Sequence, residues 1–268
     1  MRLKPIPNGT EVELDDEAAA PPHGAPEGKK LKEETDALLE RLADLSTALR
    51  AERTRALLVV LQARDAGGKD GTIRRVFGAV SPQYLEVRSF AAPTRDELAH
   101  DFLWRVHRVV PQLGMVGVFN RSHYEDVLAA RVHHLVPKEV WQKRYGHIEA
   151  FERLLSDSGI TIVKLFLHVS RAEQKKRFLE RLQKRRKGWK FQEGDLDDRR
   201  LWDEYTHAYR DAIAKTSTDS APWYVVPADD KPTRDLLVAR IVVDALERMD
   251  PQFPQLDPKL VQLADTID

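Results

Sequence analysis

Apolar residues along this chain follow two rhythms that rarely mix. Ala56 to Leu61 is an unbroken apolar run, the right length for a strand buried on both faces and too short for a helix. Before it, Leu38, Leu39, Leu42, Leu45 and Leu49 recur at three- and four-residue steps, which predicts an amphipathic helix from Leu31 to Glu52. After it, Ile73, Val76, Phe77 and Val80 keep helical spacing, and Tyr84 to Phe90 alternates like a half-buried strand. Thr94 to Glu97 reads as a capping box opening a helix whose apolar face is Leu98, Phe102, Val106 and Val109. Met115 to Phe119 predicts another buried strand, and Ser122 to Glu125 a second capping box before a helix through His134.

The alternation continues to the end. A helix from Lys138 to Ser156 leads to a strand from Ile160 to Leu167, then a third box, Ser170 to Glu173, and a helix to about Arg186. Residues 187 to 197 are polar and irregular, a helix runs from Asp198 to Lys215, and Trp223 to Val226 is a last strand before a helix from Thr233 to Arg248. Strands alternating with helices predict an α/β fold with a mostly parallel sheet flanked by helices on both faces, in one domain. Residues 1–28 mix Pro, Gly, Ala and acidic groups without periodicity and read as an extended arm that packs on a neighbour or stays mobile; residues 251–268 read as a tail.

Composition narrows this little but usefully. The 268 residues, 42% of them hydrophobic, suffice for a substantial core. Forty-three basic and 43 acidic side chains cancel, so no global field draws the chain to nucleic acid or an anionic membrane, and any polyanion site must be local. The absence of Cys excludes disulfides, thiolate metal sites and Cys nucleophiles. No stretch approaches the roughly 18 apolar residues of a membrane span. A cytoplasmic protein is the expectation.

The candidate chemistry lies where the first strand ends. Gln62-Ala63-Arg64-Asp65-Ala66-Gly67-Gly68-Lys69-Asp70-Gly71-Thr72 joins a buried strand to a helix, so backbone N–H groups and a helix dipole converge with a Lys on one point, which suits phosphate. A P-loop carries Gly-x-x-x-x-Gly-Lys-Ser/Thr. Here Ala63 replaces the first Gly and Asp70 the Ser/Thr, leaving Thr72 as the nearest hydroxyl. Asp65 would be repelled by phosphates unless it holds Mg²⁺ or orients an incoming phosphate acceptor.

At the end of the Met115 strand, Asn120 stands where nucleoside-phosphate enzymes of this class place a metal-linked Asp. Being neutral, it offers Mg²⁺ no charge, so ligand duty would fall to Asp65, Glu125 or Asp126. Arg121 suits a clamp on a transferring phosphoryl group. Glu125 either serves there or completes the Ser122 box, and His123 reads as a packing residue. Further on, Arg177 and Arg181 share a stripe of one helix and would form a lid over a polyanion, whereas the run Lys184 to Lys187 reads as a solvated helix end.

These segments together resemble the polyphosphate kinase 2 family, and within it the branch acting on both AMP and ADP. The resemblance runs from about Leu31 to about Leu246 and rests on Val59 to Ile73, His100 to Arg105, Phe119 to Leu128, and Trp189-Lys190-Phe191 with Asp195-Leu196. Ala63, Asp70 and Asn120 are ordinary in that branch. The chain departs from it at Arg64, where a Met-like residue is expected, and at Arg185 to Gly188, where a Pro-containing turn is expected.

The resemblance implies a three-layer P-loop kinase-like fold, similar to thymidylate kinase, over residues 29–250 with a helical lid at about 171–200. It implies Mg²⁺ dependence, with Mn²⁺ as a substitute, and transfer of a terminal phosphoryl group between inorganic polyphosphate and AMP, ADP or ATP. Asp65, Lys69, Arg121, Glu125 and Asp126 would be catalytic, with Asp65, Glu125 and Asp126 on the metal. Ala66, Gly67, Gly68, Lys69, Asp70, Gly71, Thr72, Asn120, Arg121, Arg177, Arg181 and Lys190 would bind phosphate or nucleotide. Relatives associate as dimers or tetramers, so a homo-oligomer is expected. An ATP-dependent nucleoside monophosphate kinase would share the fold, but the loop lacks its Ser/Thr. A non-catalytic polyanion-binding protein would use the Lys184 to Lys190 run instead.

Overall fold

The computed structural model describes residues 2–183, 188–189 and 191–257. Five parallel strands form one sheet: β1 (Ala56–Gln62), β2 (Leu85–Ser89), β3 (Val116–Asn120), β4 (Ile160–His168) and β5 (Trp223–Pro227), in the order β2-β3-β1-β4-β5. The long helices are α1 (Gly28–Glu52), α6 (Lys138–Asp157), α7 (Arg171–Gln183), α9 (Trp202–Thr216) and α10 (Lys231–Met249). Shorter ones are α2 (Lys69–Val76), α3 (Arg95–Leu98), α4 (Trp104–His107), α5 (Ala129–Val132) and α8 (Gly194–Arg200).

The pleat of β1 explains the layering. Leu57, Val59 and Leu61 point into a core shared with α1 and α10, whereas Ala56, Leu58 and Val60 point into one shared with α6 and α9. Because both faces are covered, every residue of β1 is buried, which is why its sequence shows no alternation. This is the three-layer α/β arrangement expected from the sequence.

Strand order fixes the site. The chain leaves β1 toward β2 on one side and leaves β3 toward β4 on the other, so the segments following β1 and β3 diverge and leave a crevice at the carboxyl ends of those strands. Leu61 is in register with Asn120, so residues 63–68 and 121–126 emerge side by side.

Several elements differ from the sequence expectation. The helix expected from Thr94 through Val109 is two short helices, because the Asp101 carboxylate accepts the Leu103 N–H (2.9 Å) and competes with helical pairing between them. The Thr94–Glu97 capping box is present in full. The Ser122 box is not: Ser122 Oγ accepts from Tyr124 N–H, residues His123–Asp126 form a single 3-10 turn, and only Ala129–Val132 is helical before His134. Ser170 does accept from Glu173 N–H, but the Glu173 carboxylate turns to Arg177. The helix expected from Asp198 begins at Gly194 and breaks at Leu201, which leaves helical geometry (ψ 31°) as its side chain packs into the second core.

The N-terminal arm packs on its own domain. Ile6 bridges Trp223, Val12 and Leu14 are buried, Asp15 O accepts from His168, and the Asp16 carboxylate accepts from Arg171 N–H at the start of α7. Among the described residues, no helix is long and apolar enough to cross a membrane.

Candidate active site

The loop after β1 is shaped by steric necessity. A Cβ on Gly67 would lie 2.6 Å from that of Ala63, and one on Gly68 would collide with the Arg234 guanidinium. Gly68 also holds φ 108°, where a side chain is strained. Ala66 accepts a left-handed φ of 61°. The loop therefore turns tightly enough to aim the α2 amino terminus into the crevice, with Lys69 in its first turn. Lys69 Nζ donates to Ala63 O (2.9 Å), and burial followed by the nearby Arg121 lowers its pKa to about 8.

Across the crevice Arg121, in a left-handed conformation (φ 61°), donates to Asp65 Oδ1 at 2.8 Å. Burial opposes the guanidinium's charge, but Glu125 and Asp65 outweigh it and hold Arg121 more firmly protonated than usual. Glu125 lines the same cavity, and burial raises its carboxyl above the usual range against the pull of Arg121 and Lys69. Gln62, with its amide oriented to satisfy both ends, donates to Glu125 Oε1 (3.0 Å) and accepts from Ser122 N–H (3.2 Å). Asp65, Lys69, Arg121 and Glu125 are thus brought together as expected from the sequence.

Other expected residues are placed elsewhere. Asp126 is turned away, paired with Arg144 (3.0 Å) and Arg105 (3.6 Å), so the turn that presents Glu125 buries its neighbour in a structural ion cluster. Thr72 is fully buried and donates to Asp235 Oδ1 (3.3 Å), which withdraws the loop's nearest hydroxyl from the crevice. Asn120 Nδ2 donates to Asp70 Oδ1 (3.0 Å), tying the end of β3 to the first turn of α2, and Gly71 also lies within α2.

Arg177 is not a lid residue. Its guanidinium is buried and donates to the carbonyls of Ala66 (3.0 Å), Gly67 (3.3 Å), Ala228 (2.6 Å) and Asp229 (2.9 Å), so it braces the outside of the loop after β1. Arg181 is half-exposed and lies 3.7 Å from Asp195, linking α7 to α8. Lys190, the Lys184 to Lys187 run and residues 258–268 of the tail lie outside the described residues.

Sequence reasoning missed the cavity's far wall. Trp202, Tyr205 and Tyr209, spaced three and four residues apart on α9, face Asp65 and Glu125, with His133 hydrogen-bonded to Asp198 (2.7 Å) at the rim. Their helical spacing was visible in the sequence, but the same spacing serves any buried helix face. Behind the loop, Gln174 Nε2 donates to Asp65 O (3.0 Å), fixing the backbone that presents the carboxylate.

Residues 27–254 match the model of the family described as Polyphosphate kinase 2. The chain belongs to that family. It is 56% identical over 229 residues to the AMP/ADP-polyphosphate phosphotransferase of Meiothermus ruber, covering 85% of this chain and 86% of that one. It is 44% identical over 232 residues to the ADP-polyphosphate phosphotransferase of Rhodopseudomonas palustris, covering 82% and 80% of the two. The crystal structure of polyphosphate kinase 2 from Arthrobacter aurescens TC1 superposes with a TM-score of 0.87 at 39% identity, over 99% of both chains. As a polyphosphate kinase 2 family member, the chain is a phosphotransferase.

Proposed function

We propose that this polyphosphate kinase 2 family protein moves the terminal phosphoryl group of inorganic polyphosphate to AMP and to ADP, giving ADP and ATP. The observation that carries the reading is the Asp65–Arg121 pair facing Lys69 and the α2 amino terminus across the crevice. Cations on both strand ends suit two polyanions held head to head, and a carboxylate between them suits their junction. The 56% identity to a relative named for both AMP and ADP supports the choice of acceptors.

Lys69 and the loop N–H groups would hold the phosphate chain at the α2 amino terminus, while Arg121 would offset charge developing on the transferring group. Neither acceptor needs a proton removed, since its attacking phosphate oxygen is already ionised; this leaves Asp65 to orient groups rather than to act as a base. The donor set fits Mg²⁺, or Mn²⁺ in its place: Asp65 and Glu125 would hold it, and a hard cation that keeps its waters and substrate phosphates needs only one or two carboxylates. Held by these carboxylates, the cation would supply positive charge that neutralises the phosphates meeting there.

Nucleotide substrates favour a cytoplasmic setting. The exposed edge strand β2, with Val87 outward, favours self-association as a dimer or tetramer.

The test is to supply AMP or ADP with Mg²⁺ and long-chain polyphosphate in the absence of ATP, with a parallel reaction in which ATP replaces polyphosphate. ADP and ATP should form in the first, and activity confined to the second would reject the proposal. Asp65→Asn should reduce turnover at least about 100-fold, as loss of one charge-positioning group does, with an unchanged melting temperature.

A further inference from the structure

Arg64 sits directly beside Asp65 and is only 6% exposed. Its two terminal nitrogens are committed to α9: Nη1 donates to Trp202 O (3.0 Å) and Nη2 to Thr206 Oγ1. The guanidinium also stacks on the Trp202 ring, 3.9 Å from its centroid, and lies 5.8 Å from that of Tyr209. Burial lowers its pKa to about 10, which still leaves it charged at neutral pH. One phosphate-loop residue thus holds the helix that carries the cavity's aromatic wall.

The cavity between that wall and Asp65 offers about 100 Å³ to water, enough for a few molecules. A carboxylate that orients a phosphate acceptor orients a water equally well. In hydrolysis the terminal P–O bond of polyphosphate breaks and a new P–O bond forms to a water oxygen. The water's proton passes to the departing polyphosphate oxygen, and the products are orthophosphate and a chain one unit shorter. In transfer the new bond forms instead to a nucleotide phosphate oxygen. The two reactions share a donor, a leaving group and a site, so what separates them is whether water stands beside Asp65 when the chain breaks.

We propose that Arg64 is a positioning residue that draws α9 onto the phosphate loop, closing the Trp202–Tyr205–Tyr209 wall on Asp65 and so keeping water from competing with the nucleotide for the phosphoryl group. This rests on the phosphotransferase reading above. Arg64 needs no contact with substrate to do it. A side chain of similar length without the two N–H donors leaves the wall free to part from the loop, while Lys69 and Arg121, which hold the phosphates, are untouched.

The experiment compares the unaltered full chain with Arg64→Met and with Thr206→Val, an isosteric change that removes one of the two acceptors. Each is given Mg²⁺, polyphosphate and AMP, and orthophosphate released is measured against ADP plus ATP formed. In Arg64→Met the orthophosphate share should rise about tenfold, and in Thr206→Val severalfold, while KM for polyphosphate stays within about twofold. Mere loss of packing would lower both products together and leave the ratio unchanged. An unchanged ratio in both variants overturns the proposal even if total turnover falls, and should Arg64→Met not fold, the ratio in Thr206→Val decides. Failure of the unaltered chain to make ADP would overturn the phosphotransferase reading itself, and this inference with it.

Discussion

Lys69 shows how a single buried charge ties the loop's geometry to its chemistry. The residue is 9% exposed, its ammonium has one carbonyl partner, and Arg121 stands nearby, so burial first and like charge second pull its pKa from 10.5 to about 8. The sign follows directly: the group is charged below pH 8 and loses its charge above it. In a profile of kcat/KM for polyphosphate, which reports the free enzyme, activity should fall above about pH 8. Lys69→Arg, with a guanidinium that stays protonated, should remove that descending limb even if overall activity drops. A profile for the unaltered enzyme that stays flat to about pH 10, where an ordinary Lys titrates, would show that Lys69 is not the phosphate-binding charge.

At the scale of elements, local signals were read well and partnerships poorly. The β1 run and the Leu38–Leu49 periodicity were legible because burial on two faces and on one face leave different patterns along the sequence. Ser122 and Glu125 had the spacing of a capping box, yet Gln62, 60 residues away from Ser122, takes the Glu125 carboxylate instead. Spacing along the chain cannot reveal a competitor that arrives through strand register. Arg177 failed for the same reason. A basic stripe on α7 is equally compatible with solvent, substrate or carbonyls, and only the packing of α7 against the loop selects the last. Arg177→Met would strand four carbonyls, at about 1 kcal/mol or more each, so we expect a loss of about 3–5 kcal/mol in urea unfolding. A residue that served only to bind phosphate would instead raise KM for polyphosphate and leave the unfolding midpoint in place.

For the whole molecule, the sheet's two cores are not closed by the alternating unit alone. The layer built on Ala56, Leu58 and Val60 also contains Val12 and Leu14, so the arm, whose composition gave no sign of order, contributes to the core beneath α9. Arg210 Nε donates to Val12 O (3.1 Å), and Ser217 Oγ donates to Ile6 O (2.5 Å), so the arm's backbone is held by both α9 and the residue that ends it. A chain beginning at Asp15 keeps the Asp16 carboxylate on α7 but loses Ile6, Val12 and Leu14. At about 1.5–3 kcal/mol for each buried aliphatic side chain, removal of Val12 and Leu14 should cost about 3–6 kcal/mol, visible as a lower urea midpoint. Because Arg210 of α9 holds the arm and Val12 and Leu14 share a core with the wall residue Tyr209, the truncated chain should also release more orthophosphate per ADP formed, with KM for polyphosphate little changed. An unaltered midpoint would mean that the arm rests on the fold without supporting it, and the stability of α9 would then have to come from Arg64 and the sheet alone.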